Sequence, residues 1–349
     1  MSAASPLYDP LVELSHLSDA VEKSVAPTFK TADDLRAWQE AARPKLAKLL
    51  GFLDEPAVDL RPREIEAVDR GAFVRRKIVL RTAVDSEMPL YLLEPKDAPR
   101  PMPCVLALHG HGSGAKSIVG LNEDGSERAA TEPVHADFAV ELAKRGFLVA
   151  APEISCFGER QGDYSHLSGQ VPRTCHNVNT WAMMLGKSAA GMRVRDGMRV
   201  VDYLQTLPNA DVSRLGAMGI SGGGQHAFLS TALDLRIKAV VISAYFCDWR
   251  HSILAMQHCT CNFVPGLLTL GELSDQAAMI APRACLVSHG MHDPIFPFAH
   301  VKETVAKAAK AWDLLGKPEN FQTAFFDGGH RLEGPPAYDF LAAQLGAGK

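Results

Sequence analysis

Along most of the chain, short runs rich in apolar residues alternate with longer segments in which apolar residues recur every three or four positions. The runs fall at 103–109, 146–152, 214–218, 237–245, 284–289 and 321–326. The most continuous of them, 103–109 and 146–152, suit strands buried on both faces. The segments between them, 134–145, 192–204, 225–233, 298–315 and the closing stretch near 336–345, carry helical periodicity. Strands alternating with helices imply right-handed crossovers and a mainly parallel sheet with helices on both faces, whose functional loops leave the carboxyl ends of the strands.

The first hundred residues are patterned differently. Thr31-Ala-Asp-Asp34 has the form of a capping box, and Leu35, Trp38, Ala42, Leu46 and Leu49 then recur at helical spacing. Pro44 predicts a kink or break in that segment. The stripe is a packing face, covering either the main domain or a neighbouring subunit of a homo-oligomer. From about 63 to 94 the pattern turns to β, and the strands around 73–82 and 89–95 are separated by a polar turn that suits antiparallel pairing. The expected architecture is α/β: a helical N-terminal extension over 1–60, then one catalytic domain over 61–349. Three stretches stay irregular, at 115–133, 153–187 and the long excursion 247–282.

Composition narrows the function classes. Hydrophobic residues make up 47 % and charged residues 22 %, the balance of a globular protein with a sizeable core. A net charge of −4 and a pI near 6.4 give no footprint for nucleic acid or an anionic membrane. Seven cysteines over 349 residues read as reduced thiols in a cytoplasmic setting rather than a disulfide framework. Residues 1–9 lack a basic region and an apolar core, so no signal peptide is expected. No apolar run approaches the roughly 18–20 residues that span a bilayer.

Candidate chemistry centres on Gly219-Ile-Ser221-Gly-Gly223, which follows an apolar run and opens a helix-compatible segment. Strand, sharp turn and helix with serine at the tip present a hydroxyl at a helix N-terminus. A serine needs a base, and the base needs an orienting partner. The loop after the run 284–289 offers Asp293, and the loop after 321–326 offers His330. Ser221, Asp293 and His330 stand in the Ser…Asp…His order of the α/β-hydrolase fold. Two N–H donors are needed for the oxyanion of acyl transfer. The Gly222 N–H is one candidate; for the second, the loop His109-Gly-His-Gly-Ser-Gly114 favours His111 over Gly112.

On the motifs His109-Gly-His-Gly, Gly219-Ile-Ser-Gly-Gly, His289-Gly-Met-His-Asp-Pro-Ile-Phe-Pro297 and Gly328-Gly-His330, the chain resembles the α/β-hydrolase superfamily over most of 60–349. More narrowly it is similar to the acetyl-xylan-esterase-like and dienelactone-hydrolase-like branch. The resemblance implies a serine carboxyl-ester hydrolase that needs no cofactor or metal and acts on a small or acetylated, carbohydrate-type ester. The chain has Ser221 where dienelactone hydrolases have cysteine, and it lacks the Gly-x-Ser-Gln-Gly elbow of the best-known acetyl esterases of the group. An amidase or peptidase of the same fold and a non-catalytic binding protein are the rival readings.

Other residues admit bland readings beside functional ones. Asp248 also follows a strand, though Asp293 is preferred as the acid. His292 reads as a loop histidine, and His226 as packing on the elbow helix. His258-Cys-Thr-Cys-Asn262 holds one Cys-x-Cys without a second ligand pair at finger spacing, so buried thiols are expected there rather than a metal. The excursion carries Trp249, Phe263, Val264, Pro265, Leu267 and Leu268, which form either a satellite core or a cap shaping the substrate pocket. Arg160 either meets a carboxylate or sugar hydroxyls of the substrate, or pairs with Glu153 or Glu159.

Overall fold

Nine strands form one sheet in the order β1-β2-β3-β5-β4-β6-β7-β8-β9 in the computed structural model, which describes residues 9–162, His166 and 174–347. The expectation of no signal peptide over 1–9, and part of the irregular stretch 153–187, lie largely outside the described residues. β1 (Arg63–Asp69), β2 (Phe73–Ala83), β3 (Ser86–Pro95) and β5 (Leu148–Pro152) pair antiparallel in succession. From β5 through β4 (Met102–Leu108), β6 (Ala210–Ile220), β7 (Ile237–Ser243), β8 (Ala284–Gly290) and β9 (Phe321–Phe326), every pairing is parallel. β4, β5 and β8 are buried at every position, as strands covered on both faces must be. β1 is an edge strand, and Arg63, Glu64, Glu66 and Asp69 keep its free side polar.

The helices divide between the two faces. α3 (Phe138–Lys144) and α9 (Gly334–Leu345) cover one face through Phe138, Leu142, Tyr338 and Leu341. The other carries α5 (Ala189–Leu204), α6 (Gly222–Leu233) and α8 (Phe298–Leu314), with Val201, Phe228 and Trp312 in its core. α4 (Thr174–Met184), α1 (Pro10–Val25), α2 (Ala32–Leu50) and α7 (Leu273–Ala277) complete the element order. Among the described residues no helix is long and apolar enough to cross a membrane.

α2 begins at the expected capping box: the Thr31 side chain accepts from the Asp34 N–H at 3.1 Å, and the Asp34 carboxylate accepts from the Thr31 N–H at 2.9 Å. The predicted break at Pro44 does not occur. Pro44 and Glu40 both lie on the exposed side, where the carbonyl left without a donor can turn to water. Leu35, Ala42, Leu46 and Leu50 are buried in this chain's own core, so the stripe is covered without a second subunit. Gln39 fixes the docking, donating to the carbonyls of Ala278 and Ala281 at 2.6 and 2.7 Å.

The helix expected over 134–145 starts only at Phe138. Ala136 and Asp137 both have positive φ, and the segment before them is wound around the Glu132 carboxylate, which accepts the N–H of Val134 and of His135.

The direction of strand addition reverses at β4. After β4 the chain goes to β5 on one side, and after β5 it returns to β6 on the other. At such a switch point the loops leaving the strand ends diverge and open a crevice. Ser221 follows β6, and the His109–Gly114 loop follows β4.

Candidate active site

Ser221 has φ 54° and ψ −122°, a backbone conformation that costs an L residue about 1–3 kcal/mol. Two glycines make the turn around it possible. A Cβ on Gly219 would lie 2.1 Å from the Gly223 carbonyl oxygen, and one on Gly223 would lie 2.0 Å from that of Leu108. α6 therefore starts directly against the end of the central strand, with Ser221 at its N-cap. The turn is held from the sheet side, where the Ser221 N–H donates to the Ser243 carbonyl at 2.9 Å.

Register places the other two residues at the same end of the sheet. Ile220 pairs with Ser243, Ser243 with Ser288, and Gly290 with Phe326. Asp293 lies just beyond β8 and His330 just beyond β9. Their loops touch closely, since the His292 N–H donates to the Gly328 carbonyl at 2.9 Å. His330 Nδ1 and Asp293 Oδ2 are 2.7 Å apart, and the Asp293 side chain is fully buried. Its other oxygen accepts the N–H groups of Ile295 and Phe296 at 2.8 and 3.2 Å. Burial alone would raise the Asp293 pKa. The hydrogen bond and charge of His330, followed by the Ile295 N–H, outweigh it and hold the carboxyl below its usual range. An ionised Asp293 accepts from Nδ1–H of His330 and leaves the lone pair on Nε2. The His330 ring stacks 5.9 Å from Phe296, which packs in turn on Tyr245 at 5.3 Å. Among the described residues no hydrogen bond joins the Ser221 hydroxyl to His330; such bonds commonly tighten only when substrate is bound.

The loop after β4 is fixed by buried polar groups that the sequence did not announce. The Gly110 N–H donates to His135 Nε2 at 3.1 Å, and the Ala115 N–H donates to the buried Glu153 carboxylate at 3.0 Å. Gly110 is thereby occupied. Among the described residues the N–H groups of His111, Gly112 and Gly222 have no acceptor, so both expected oxyanion donors, His111 and Gly222, are free. The His111 ring lies against the elbow: a Cβ on Gly222 would come within 2.9 Å of His111 Nδ1.

The remaining candidates part company with this centre. Asp248 does not reach His330; it contacts His251 Nδ1 at 2.7 Å and lies 3.8 Å from His300. His292 is an exposed loop residue facing Asp327 at 2.8 Å. His226 is fully buried on the elbow helix, where burial and then the charge of Arg193 push its pKa down to about 3. Arg160, expected to meet substrate or to pair with Glu153 or Glu159, instead forms a buried ion pair with Asp196 at 2.7 Å. Glu159 is held by Lys77. Trp249 is buried against Tyr245 and lines a groove of about 600 Å³ between α1 and the excursion, along with Leu11, Leu14, Ile253 and Leu267. It is a packing residue there.

The sequence singles out His258 only as part of a metal-like pattern. Its ring lies 5.7 Å from Phe296, and burial first, then the charges of His111 and His330, lower its pKa. It therefore sits among the residues of this centre. Beside it, ligand atoms of His111, Cys175, Cys259 and Cys261 all lie within 4.8 Å of one another.

A sequence model of the Abhydrolase family matches residues 17–328. Putative hydrolase YtaP of Bacillus subtilis (strain 168) is 26 % identical over 299 residues, spanning 82 % of this chain and 92 % of that protein. Among solved structures, a putative acetyl xylan esterase from Bacteroides fragilis superposes with a TM-score of 0.75 at 17 % identity, covering 95 % of this chain and 89 % of the other. A glucuronoyl esterase from Solibacter usitatus gives 0.65 at 16 % identity, covering 88 % and 93 %. At these identities the structural likenesses speak for the fold.

Proposed function

The chain belongs to the Abhydrolase family, and from that premise we propose that it is a serine carboxyl-ester hydrolase working through an acyl-enzyme. The observation that carries this reading is a strained Ser221 at a helix N-terminus with a hydrogen-bonded Asp293–His330 pair at the same end of the sheet. Ser221 Oγ attacks the ester carbonyl carbon while His330 Nε2 takes its proton. The carbonyl oxygen becomes an oxyanion facing the free N–H groups of Gly222 and His111, where each donor contributes about 2.7–4 kcal/mol. Collapse breaks the carbon–oxygen bond to the alcohol, which leaves with the proton from His330. Water then attacks the acyl-enzyme, giving its proton to the same nitrogen, and the acid and free Ser221 are regenerated. Asp293 keeps His330 in the tautomer that can accept at Nε2 throughout.

Small carbohydrate esters are the substrate class this reading favours. Support comes from solved structures of the same fold that are described as acetyl xylan and glucuronoyl esterases. Ser221→Ala should lower kcat for 4-nitrophenyl acetate by about 10⁶-fold with the fold retained. Hydrolysis by that variant at near the parent rate would overturn the assignment.

A further inference from the structure

Three of the seven cysteines and one histidine converge beside the elbow, from segments far apart in the chain. Cys261 Sγ lies 3.4 Å from His111 Nε2 and 3.2 Å from Cys259 Sγ, and Cys175 completes a group whose ligand atoms all lie within 4.8 Å of one another. Cys156 is buried but stands outside this set. A disulfide between Cys259 and Cys261 would need the sulfurs at about 2.05 Å. Sulfur and nitrogen around a tetrahedral ion, with Zn–S near 2.3 Å and Zn–N near 2.0 Å, are instead separated by about 3.5–3.8 Å along the tetrahedron's edges. The two distances, 3.4 and 3.2 Å, stand nearer to that edge than to a disulfide bond.

We propose that His111, Cys175, Cys259 and Cys261 form a closed tetrahedral site for a zinc-class divalent cation. Three thiolates and an imidazole suit a soft, tetrahedral ion, and four protein ligands leave no open position, which is the pattern of a structural site. Charge supplies an independent argument. Arg193 is 2 % exposed, and among the described residues it has no carboxylate partner. Its guanidinium donates to Cys175 Sγ at 3.5 Å and to the Ser155 carbonyl at 3.3 Å, and it lies 5.3 Å over the Phe157 ring. A buried cation requires a compensating anion. A divalent cation with three thiolates and a neutral imidazole carries one net negative charge, which matches Arg193.

The surroundings are built to hold the ligands in place. Asn262, next to Cys261, accepts at its carbonyl from Gln225 on the elbow helix at 3.2 Å, and its side chain accepts from the Tyr245 hydroxyl at 3.1 Å. Asn179, on the helix of Cys175, donates to the Thr260 carbonyl at 2.6 Å. Phe157 packs edge-on against the His111 ring at 4.9 Å. The ion would tie the loop after β4, α4 and the excursion into one rigid wall. Ligation through Nε2 also leaves the His111 proton on Nδ1, the nitrogen nearest Gly222.

The test reads metal rather than ester hydrolysis. Full-length protein produced with zinc in the medium and then desalted should hold about one zinc per chain by mass spectrometry of the metal. X-ray absorption should find three sulfurs at about 2.3 Å and one nitrogen at about 2.0 Å. Cobalt-substituted protein should show the intense ligand-field and thiolate charge-transfer bands of a tetrahedral site. Cys175→Ser and Cys261→Ser should each drop the content to below about a tenth of an equivalent, a tenfold loss or more, whereas Cys104→Ser, Cys285→Ser and Cys156→Ser should retain it. Ser221→Ala should lose activity and keep the metal, which separates this site from the proposed chemistry. If the cysteine variants fail to fold, the absorption spectra of the parent protein decide. Folded protein produced in zinc-replete medium yet holding no metal would overturn the proposal, as would an intact mass short by two hydrogens, or equal zinc in Cys175→Ser, Cys261→Ser and the controls.

Discussion

Ser221, Asp293 and His330 sit on the ends of three strands of one sheet, while the His111–Cys175–Cys259–Cys261 cluster beside them is assembled from loops and the start of a helix. The first group inherits its geometry from the backbone. Parallel register fixes where β6, β8 and β9 end, so the side chains that follow them meet without long-range specification. The second group has no such scaffold and is held by side-chain hydrogen bonds from Gln225, Tyr245 and Asn179. A site on sheet ends tolerates variation in its surroundings; a site made of loops needs each tie.

Two aspartates offer the sharpest test of that contrast. Asp248 and Asp293 follow adjacent strands, and each approaches a histidine Nδ1 at 2.7 Å. They differ in what surrounds them. Asp293 is fully buried and bridges two loops, whereas Asp248 contacts His251 three residues along its own exposed turn. Asp293→Asn should lower kcat by about 10⁴-fold, or about 5.4 kcal/mol of barrier, by setting His330 in the wrong tautomer. Asp248→Asn should stay within about twofold of the parent. Steady-state rates on one ester decide, and a larger loss in the Asp248 variant would move the acid to β7.

The same contrast explains what could be read from sequence. Apolar runs mark strands, strands mark their own carboxyl ends, and residues standing just after them are candidates before any contact is known. Ser221, Asp293, His330 and the His109–Gly114 loop were legible on that basis, as were the parallel sheet and the antiparallel strands before it. Cys175 was not. Nothing periodic connects it with Cys259 or His111, and a search for ligand pairs at short spacing sees only Cys259-x-Cys261. The partner of Arg160 is hidden for a related reason: its loop position is visible in the sequence, but Asp196 lies on α5 and is brought there by tertiary packing alone. The late start of α3 was hidden because His135 fits an apolar helical stripe while its ring is held by Gly110 and Glu132.

Arg160 also separates a packing role from a binding one. Its side chain is 10 % exposed and that of Asp196 is 3 % exposed, with Arg195 a second partner of the aspartate at 3.1 Å. Arg160→Met should lower the unfolding free energy by about 3 kcal/mol, the lower end for breaking a buried pair, because Arg195 still compensates part of the charge. KM should be unchanged. A rise in KM with an unaltered denaturation midpoint would return Arg160 to the substrate.

The smallest effect concerns a histidine that does no proton transfer. His226 is fully buried on α6, neither ring nitrogen has a partner among the described residues, and its folded pKa lies at about 3. The unfolded chain restores a value of about 6.5. Between these two values the unfolded state binds a proton that the native state does not, so stability rises with pH across this window and falls on acidification. The slope is at most about 1.4 kcal/mol per pH unit, one proton's worth. His226→Leu removes the titrating group and should flatten the curve of urea-unfolding free energy by up to that amount between about pH 6 and pH 4, while activity at neutral pH persists. Replacing His330, by contrast, should abolish turnover. A slope unchanged in the His226 variant would mean that another buried group carries the acid sensitivity and that the elbow helix does not exclude charge as its packing implies.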